Sequence, residues 1–320
     1  MKNSLPSHKN FLNKYLQRMT FLIGMILLCI YFSLFAKNFA SVSNIVNIAQ
    51  QTAVIAIVAI GQTFVIAGGG IDLSVGSVVA LSSVVTAYTM RAGSSIAFSV
   101  ILGLLAGLIC GLAIGLLVDL GNIPPFITTM GMMSIIRGFV YLITDGVPIS
   151  GLPSAFNVLG LGKLWGVIPY PVVLMVALMF LMNFILNHSH FGRNVFAIGS
   201  NERTAYLSGI NIHFNKVSMY MVCALCSSIA GIVLTSKLVS AQPTTGTGYE
   251  SNAIAAAVIG GASLSGGSGS IFGTILGAFI MGVLQNGLNL IGLNYFLQQI
   301  AIGTVIILAV LLDQIHVSKK

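Results

Sequence analysis

Long apolar stretches separated by short polar interruptions run along the chain from Thr20 to Leu312. Most are close to the roughly 20 residues that a helix needs to cross about 30 Å of hydrocarbon. The stretches are residues 19–36, 43–67, 74–90, 95–118, 123–144, 169–187, 217–237, 253–265, 271–291 and 296–313. The pattern therefore predicts an all-α polytopic membrane protein with about ten transmembrane helices, although the eighth stretch is short for a full crossing.

The composition supports a single membrane domain. Of the 320 residues, 56% are hydrophobic and 6% are charged, and the mean hydropathy is +0.99, whereas about a quarter of the residues in soluble domains are charged. The net charge of +8 comes from Lys and Arg that are dispersed beside apolar runs. Such residues are typical topology signals, so the partner is a lipid bilayer and nucleic-acid binding is not expected.

The basic residues also predict an orientation. An even number of crossings places both termini on one side, and cytoplasmic termini give nine basic residues inside and four outside. The inner set is Lys2, Lys9, Lys14, Arg18, Arg193, Arg203, Lys216, Lys319 and Lys320, and the outer set is Lys37, Arg91, Lys163 and Lys237. If residues 253–265 form only a re-entrant hairpin, the count becomes odd and the C-terminus lies outside.

The domain organisation follows from this topology. Residues 1–18 are predicted to be a cytoplasmic N-terminal segment, and residues 314–320 a cytoplasmic tail. Between them lies a membrane domain, residues 19–313, with a cytoplasmic loop at residues 188–216. The first apolar run is longer than the core of a signal peptide and no A-x-A cleavage site follows it, so we expect it to be retained.

Several polar residues lie inside the predicted spans, where they are costly. An Arg at the centre of a transmembrane helix costs about 2.5–3.5 kcal/mol, so it should face the protein interior or a wet cavity. The candidates for a translocation path are Asn47, Gln50, Gln51, Gln62, Asp72, Arg137, Asn286 and Asn289. Amides suit a neutral polar solute, but interhelical hydrogen bonds worth about 0.6 kcal/mol each explain the same residues, and both interpretations stay open.

Four glycines recur at every fourth position in the segment GLLAGLICGLAIG. They are Gly103, Gly107, Gly111 and Gly115, and they form one smooth stripe along a helix. Small residues at this spacing let a second helix backbone approach closely. The stripe therefore predicts helix packing and no chemistry.

Motifs for catalysis and metal binding are incomplete. The G-x-S-G of residues 266–269 lacks a His within a later span to act as a base. Cys223 and Cys226 form a C-x-x-C with no second ligand pair, and no H-E-x-x-H is present. The sequence also has no G-x-x-x-x-G-K-[ST] to hold ATP phosphates. We therefore expect no catalytic residue, metal or cofactor in this chain, so any ATP is hydrolysed by another polypeptide.

The segment FGRNVFAIGSNERTAYLSGI, residues 191–210, is polar and charged between two apolar runs. Asn201 suits the N-cap of a helix, Glu202 suits its positive end, and Gly209 suits the position after its C-terminus. The pattern predicts a two-turn helix from Glu202 to Ser208. A helix this short needs neighbours to stabilise it.

Four segments together resemble the permease subunits of ABC sugar importers of the ribose type. They are GIDLSVGS at 70–77, FGRNVFAIGSNERTAYLSGIN at 191–211, SAQPTTGTGYESNAIAAAVIGG at 240–261 and GTILGAFIMGVLQNGLNLIG at 273–292. The resemblance implies the ten-helix fold of vitamin B12-type importers in a bacterial inner membrane. It further implies a permease homodimer, a cytoplasmic ATPase subunit that carries ATP and Mg, and a periplasmic sugar-binding protein.

In that family the loop equivalent to residues 191–210 couples the permease to the ATPase. The resemblance implies coupling roles for Gly192, Arg193, Gly199, Asn201, Ala205 and Gly209. The charged residues Glu202 and Arg203, in the same short helix, complete the predicted coupling set. The family places the sugar path at the interface of two permeases, and ribose is the first candidate, with other sugars or a furanone-like signalling molecule as alternatives. A secondary sugar transporter, active without ATP, is the competing class.

Overall fold

The computed structural model describes the backbone of residues 8–317 and the side chains of residues 22–294, 296–308, 310 and 311. Residues 1–7 and 318–320, which belong to the two predicted terminal segments, lie outside the described residues. The helices are α1 His8–Phe35, α2 Val42–Ala67, α3 Val75–Arg91, α4 Ile96–Asp119, α5 Pro125–Thr144, α6 Val158–Leu161, α7 Tyr170–His188, α8 His190–Ser200, α9 Glu202–Leu207, α10 Ile212–Leu238, α11 Tyr249–Ile259, α12 Ile271–Leu290 and α13 Tyr295–Val317. A 3₁₀ turn, Ser154–Asn157, precedes α6, and a small hairpin of β1 Lys163–Leu164 and β2 Ile168–Pro169 follows it.

Six helices within the described residues are long and apolar enough to cross a membrane: α2, α4, α5, α7, α10 and α12. Shorter apolar pieces, Leu22–Phe35 and Phe296–Leu308, lie in α1 and α13. This architecture confirms a polytopic helical membrane fold, and the bounds of α2 and α12 agree within one residue with the predicted stretches 43–67 and 271–291. The count of ten crossings and the orientation of the termini stay predictions.

Several helix starts are fixed by local capping. A Ser or Asn side-chain oxygen accepts a hydrogen bond from the backbone N–H three residues later, which satisfies one of the free donors of the first turn. These caps are Ser41, Ser95, Ser189, Asn201, Asn211 and Ser270. Pro in the first turn starts α5 and α7, where its missing N–H costs no helical hydrogen bond.

The core is built around α2, which is enclosed by α7, α10, α11 and α12. Every residue of α2 from Thr52 to Ala67 is buried. The glycine stripe of α4 lies where this helix packs against α3 and α10: Gly103 faces Thr86, Gly107 faces Ser228, Gly111 faces Ala224 and Gly115 faces Val217. This register makes α4 and α10 antiparallel.

The predicted eighth span, residues 253–265, had the wrong bounds. Helix α11 runs only from Tyr249 to Ile259, and residues 260–270 form a loop. Gly260 ends the helix, and Gly261 has a φ of 91°, which an α-helix does not contain. At about 1.5 Å per residue, eleven residues are too short to cross the hydrocarbon alone.

A segment without helix, residues 240–248, leads into α11, and residues 243–248 in it form a series of turns. At one end Ala241 pairs with Ile149 as an isolated β-bridge. Farther along, Arg137 Nη1 donates to the carbonyl oxygens of Pro243 (2.6 Å) and Thr245 (2.9 Å). Because Arg137 belongs to α5, this segment of turns lies beside the interior of a spanning helix. The charged side chain provides hydrogen bonds to backbone carbonyls that have no partner within a helix.

The molecule has two ends, which we name by their elements. The α9 end contains α8, α9, the α4–α5 turn and the 260–270 loop, and Asp119 at the end of α4 bonds His213 at the start of α10 there. The opposite end contains the residues that join α1 to α2 and the connection 145–169. There Ser236, near the end of α10, bonds Phe156 and Gly160.

Candidate functional site

The connection between α7 and α10 contains two helices. The predicted short helix is confirmed as α9, Glu202–Leu207, one residue shorter than expected. A longer helix, α8, precedes it and was not predicted. Its start is capped by Ser189, whose Oγ accepts from Gly192 N (3.0 Å). Polar residues and glycines are mixed with the apolar residues of α8, and this mixture made its helix hard to recognise in the sequence.

The ends of α9 have well-defined geometry. Asn201 Oδ1 accepts from Thr204 N (2.9 Å), which caps the first turn. Gly209 follows the helix with a φ of 81°, a conformation that favours glycine. Lys216 Nζ donates to Glu202 Oε1 (2.7 Å), which ties α9 to α10. These contacts hold a helix that is too short to persist alone.

The inner side of this connection packs backbone against backbone. Gly199 at the end of α8 leaves no room for a Cβ, which would overlap Ala67 O and lie 2.6 Å from Gly267 N. Gly267 N in turn donates to Ala67 O (2.9 Å). Ala205 of α9 is buried. The connection therefore touches both the end of α2 and the loop that follows α11.

The outer side of α9 is apolar and exposed. Tyr206 is 67% exposed and Leu207 77%, and Phe214 at the start of α10 is 67% exposed. Leu120, in the α4–α5 turn, is 65% exposed. A hollow of about 520 Å³ lies beside them, and Arg203 and His213 are part of its wall. We name these four apolar residues the α9 surface.

The residues predicted for this region are its polar ones, whereas the exposed apolar residues Leu120, Tyr206, Leu207 and Phe214 were not predicted. The available signal was the apolar side chains within a polar segment, because exposed apolar patches outside a membrane mark binding sites. Arg193 lies apart from the α9 surface: its guanidinium bonds His188 O (3.3 Å) and His190 Nδ1 (3.0 Å). It secures the junction of α7 and α8.

A second candidate feature is a cavity of about 600 Å³ that lies between α2, α10, α11, α12 and α13. Three of the eight predicted path residues line it: Gln51, Asn286 and Asn289. Further amides in its wall are Asn252, Gln285, Gln298 and Gln299. Lys237 is the one charged residue among the described lining residues. We name this feature the amide cavity.

The other five predicted path residues lie elsewhere. Gln50 Nε2 donates to Gly160 O (2.7 Å), and Asn47 Oδ1 accepts from Gln51 Nε2 (3.4 Å). Arg137 binds the carbonyls of Pro243 and Thr245 in the turns before α11. The structure therefore does not bring the eight residues together around one lining.

Gln62 and Asp72 stabilise the turn between α2 and α3. The Gln62 amide, oriented to satisfy its partners, donates to Asp72 O (3.2 Å) and accepts from Asp72 N (3.0 Å). Asp72 Oδ1 accepts from Ser74 N (2.8 Å) and Ser74 Oγ (2.6 Å). Asp72 is 1% exposed, so it has no direct access to a solute. The geometry favours the interhelical role for both residues.

Metal coordination has no basis in the part of the chain that the structure describes, where no three His, Cys, Asp or Glu side chains cluster. Cys110, Cys223 and Cys226 are free and buried. The described residues therefore form an exposed apolar surface at one end and a polar cavity between the helices.

Known proteins similar to this chain are transport permeases. The ribose import permease of Bacillus subtilis (strain 168) is 45% identical over 301 residues, which are 93% of each chain. That of Escherichia coli (strain K12) is 41% identical over 97% of this chain and 98% of its own. The D-allose transport system permease of Escherichia coli (strain K12) is 36% identical over 92% of this chain and 91% of its own.

Solved structures offer no comparison, since none matches the chain. A family model described as "Branched-chain amino acid transport system / permease component" matches residues 44–312. This range begins within α2 and ends within α13, so it contains the α9 surface and the amide cavity. The family is a transport component and not an enzyme, and the apolar helices make the chain a multi-pass membrane protein. The chain therefore belongs to the branched-chain amino acid transport system / permease component family.

Proposed function

We propose that this chain is the membrane-spanning subunit of an ATP-driven importer that carries a monosaccharide, with ribose as the first candidate. The supporting observation is the identity of 40–45% to several ribose import permeases over more than nine-tenths of the chain. Relatives named for D-allose and L-arabinose are 36% and 37% identical. These identities make another monosaccharide the nearest alternative cargo.

The proposed partners follow from this function. The chain pairs with a second copy in a bacterial inner membrane. A cytoplasmic ATPase subunit binds ATP and Mg, and a periplasmic sugar-binding protein delivers the cargo. The termini and the α9 end then face the cytoplasm. The turn segment 240–248 together with α11 serves as the eighth of ten crossings, since residues 239–259 lead from the opposite end to the loop beside Ala67.

The α9 surface is the proposed docking site for the ATPase. Exposed Tyr206, Leu207, Phe214 and Leu120 offer apolar area outside the membrane, and burying apolar area stabilises a complex by about 25 cal/mol per Å². Arg203 and the Glu202–Lys216 ion pair lie around this area and can fix the register of the partner.

The route from this surface into the membrane domain runs through Gly199. Its contacts with Ala67 and Gly267 are made by backbone atoms, which have no side-chain freedom to absorb a displacement. A movement of α8 and α9 driven by the ATPase therefore shifts the end of α2 and the loop after α11. Both α2 and α11 contribute walls of the amide cavity.

The amide cavity is the proposed part of the solute path within this chain. Amides both donate and accept hydrogen bonds, which suits a neutral polyhydroxylated solute. Lys237 is the one charged residue among the described residues of the lining, and its positive charge disfavours inorganic cations. Of the eight path residues that the sequence predicts, Gln51, Asn286 and Asn289 belong to this proposed path.

The deciding experiment is to purify the tagged chain from its native membrane and identify the proteins that accompany it. We expect a stoichiometric ATPase that is lost with Leu207→Ser and retained with Leu207→Met, because only the first removes apolar area. Uptake of labelled ribose should follow the same order. Recovery of the chain alone, with uptake in vesicles that contain no ATP, would establish the secondary-transporter alternative instead.

A further inference from the structure

The hairpin at the opposite end presents an unusual residue in its turn. Strands β1 and β2 are joined by Trp165, Gly166 and Val167, and Trp165 and Gly166 have φ values of 50° and 74°. Two consecutive positive φ angles are typical of tight hairpin turns that favour Asn and Gly. A bulky side chain in the left-handed region is strained by about 1 kcal/mol or more. The residue in this strained conformation is Trp165, which is the one Trp in the sequence.

The surface around Trp165 is apolar and exposed. Trp165 is 83% exposed and Val167 63%, and on the neighbouring α6 Val158 and Leu161 are 53% and 51% exposed. Lys163 is the one charged residue in the sequence from 146 to 169. A loop that stands in water is normally rich in polar residues. We name residues 158–168 the hairpin surface.

The distance of the hairpin turn from the start of α7 decides whether it lies in the lipid headgroup layer or in the water beyond it. Strand β2 passes directly into α7 at Tyr170. At about 3.3 Å per residue, its two residues place the turn at most about 7 Å beyond the start of α7. The headgroup layer on each side of the hydrocarbon is roughly 5–8 Å thick. The turn therefore remains within that layer and does not project towards a water-borne protein.

We infer that the hairpin surface lies on the bilayer, with Trp165 in the headgroup layer and the neighbouring apolar residues at the hydrocarbon boundary. An indole ring has an apolar body and one N–H donor, which suits this layer. Lys163 then meets lipid phosphates. The helix that follows, α7, also exposes the apolar residues Phe180, Leu181 and Phe184, which suits contact with lipid along the same part of the chain. The inference depends on a membrane-spanning chain and not on its cargo.

The hairpin surface is fastened to the transport elements. Gly160 N donates to Ser236 Oγ (2.7 Å), and Ser236 Oγ donates to Phe156 O (2.6 Å). Gln50 on α2 donates to Gly160 O (2.7 Å). Gly160 lies between α2 and α10 and is hydrogen-bonded to both. Lipid contact at Trp165 therefore fixes the depth of both helices in the bilayer at this end.

The single Trp makes the test direct. The purified chain is placed in nanodiscs whose lipids carry bromine high on the acyl chain, and Trp emission is quenched separately by these lipids and by aqueous iodide. We expect a blue-shifted emission, loss of more than half of it with brominated lipid, and little loss with iodide. Trp165→Phe supplies the blank.

A matched reporter on the other end serves as the control. In the Trp165→Phe background, Tyr206→Trp places a Trp on the α9 surface, where iodide should quench it and brominated lipid should not. If Trp165 itself behaves like this control, the hairpin stands in water and the inference is overturned. Quenching by neither reagent overturns it as well, since Trp165 is then covered by protein. Loss of lipid quenching when the periplasmic binding protein is added would assign the surface to that partner.

Discussion

Gly199 at the end of α8 lies directly against the carbonyl oxygen of Ala67, the last residue of α2. A Cβ at this position would overlap that oxygen, and no side chain is available to move aside. The Gly199–Ala67 contact therefore joins α8 to the buried core with no side chain between the two backbones, so one added methyl group tests it.

Gly199→Ala should push α8 away from α2 and weaken coupling. Overpacking of this kind costs about 1–3 kcal/mol. We expect the variant to keep its ATPase partner, because the α9 surface is unchanged, but to transport several-fold less sugar per ATP hydrolysed in proteoliposomes. Gly138→Ala is the control, since an added Cβ there meets no atom within 4 Å. Equal transport ratios for the two variants would remove Gly199 from the coupling route.

Gly209→Val tests the end of α9. The φ of 81° is unfavourable for any L-residue and most unfavourable for a β-branched one, with a cost of about 1–2 kcal/mol. A Cβ itself would meet no neighbour within 4 Å, so the effect comes from backbone strain alone. We expect lost sugar uptake with the protein still inserted in the membrane.

Gly209→Asn should retain most of the uptake, because Asn tolerates the left-handed conformation. Uptake and membrane content are measured together for both variants. Unchanged uptake with Gly209→Val would count against α9 as the coupling helix.

The sequence predicted α9 well because its signals are local. Asn201 and Gly209 act on the backbone within three residues, so neighbours in the fold do not alter their meaning. The bounds of α2 and α12 were equally readable, since length and apolarity suffice for a helix in lipid.

Elements that depend on distant contacts were not readable in this way. The short α11 follows a segment of turns that is held by Arg137, more than a hundred residues earlier in the chain. Polar residues within spans were equally ambiguous: Gln50 bonds a backbone carbonyl, whereas Gln51, the next residue, lines the amide cavity. The difference is set by which helix lies opposite each side chain.

Arg137→Met should destabilise the membrane domain. The variant loses the two hydrogen bonds to Pro243 O and Thr245 O, and hydrogen bonds to charged groups contribute about 1.5–3 kcal/mol each. We expect a clearly lower melting temperature in detergent by size-exclusion chromatography after heating, with Arg137→Lys intermediate. Arg91→Met, at the exposed end of α3, is the control. If the Arg137→Met and Arg91→Met variants melt at similar temperatures, the hydrogen bonds of Arg137 to Pro243 and Thr245 contribute little to stability.

The contact between α4 and α10 allows a rescue experiment. A Cβ on Gly107 would overlap Ser228 Oγ and lie 3.0 Å from Ser228 Cβ. Gly107→Ala should therefore separate the two helices and lower the melting temperature. Ser228→Gly alone should cost less, since Ser228 Oγ donates only within its own helix, to Ala224 O (2.8 Å).

In the double variant the alanine methyl occupies the space that the serine side chain leaves. We expect recovery of most of the lost stability, with a coupling free energy of about 0.5–3 kcal/mol for two residues in contact. The measurement is a double-mutant cycle on detergent-solubilised protein. If the two losses simply add, the glycine is retained for a reason other than the close approach of α4 and α10, and the packing explanation of the whole stripe fails with it.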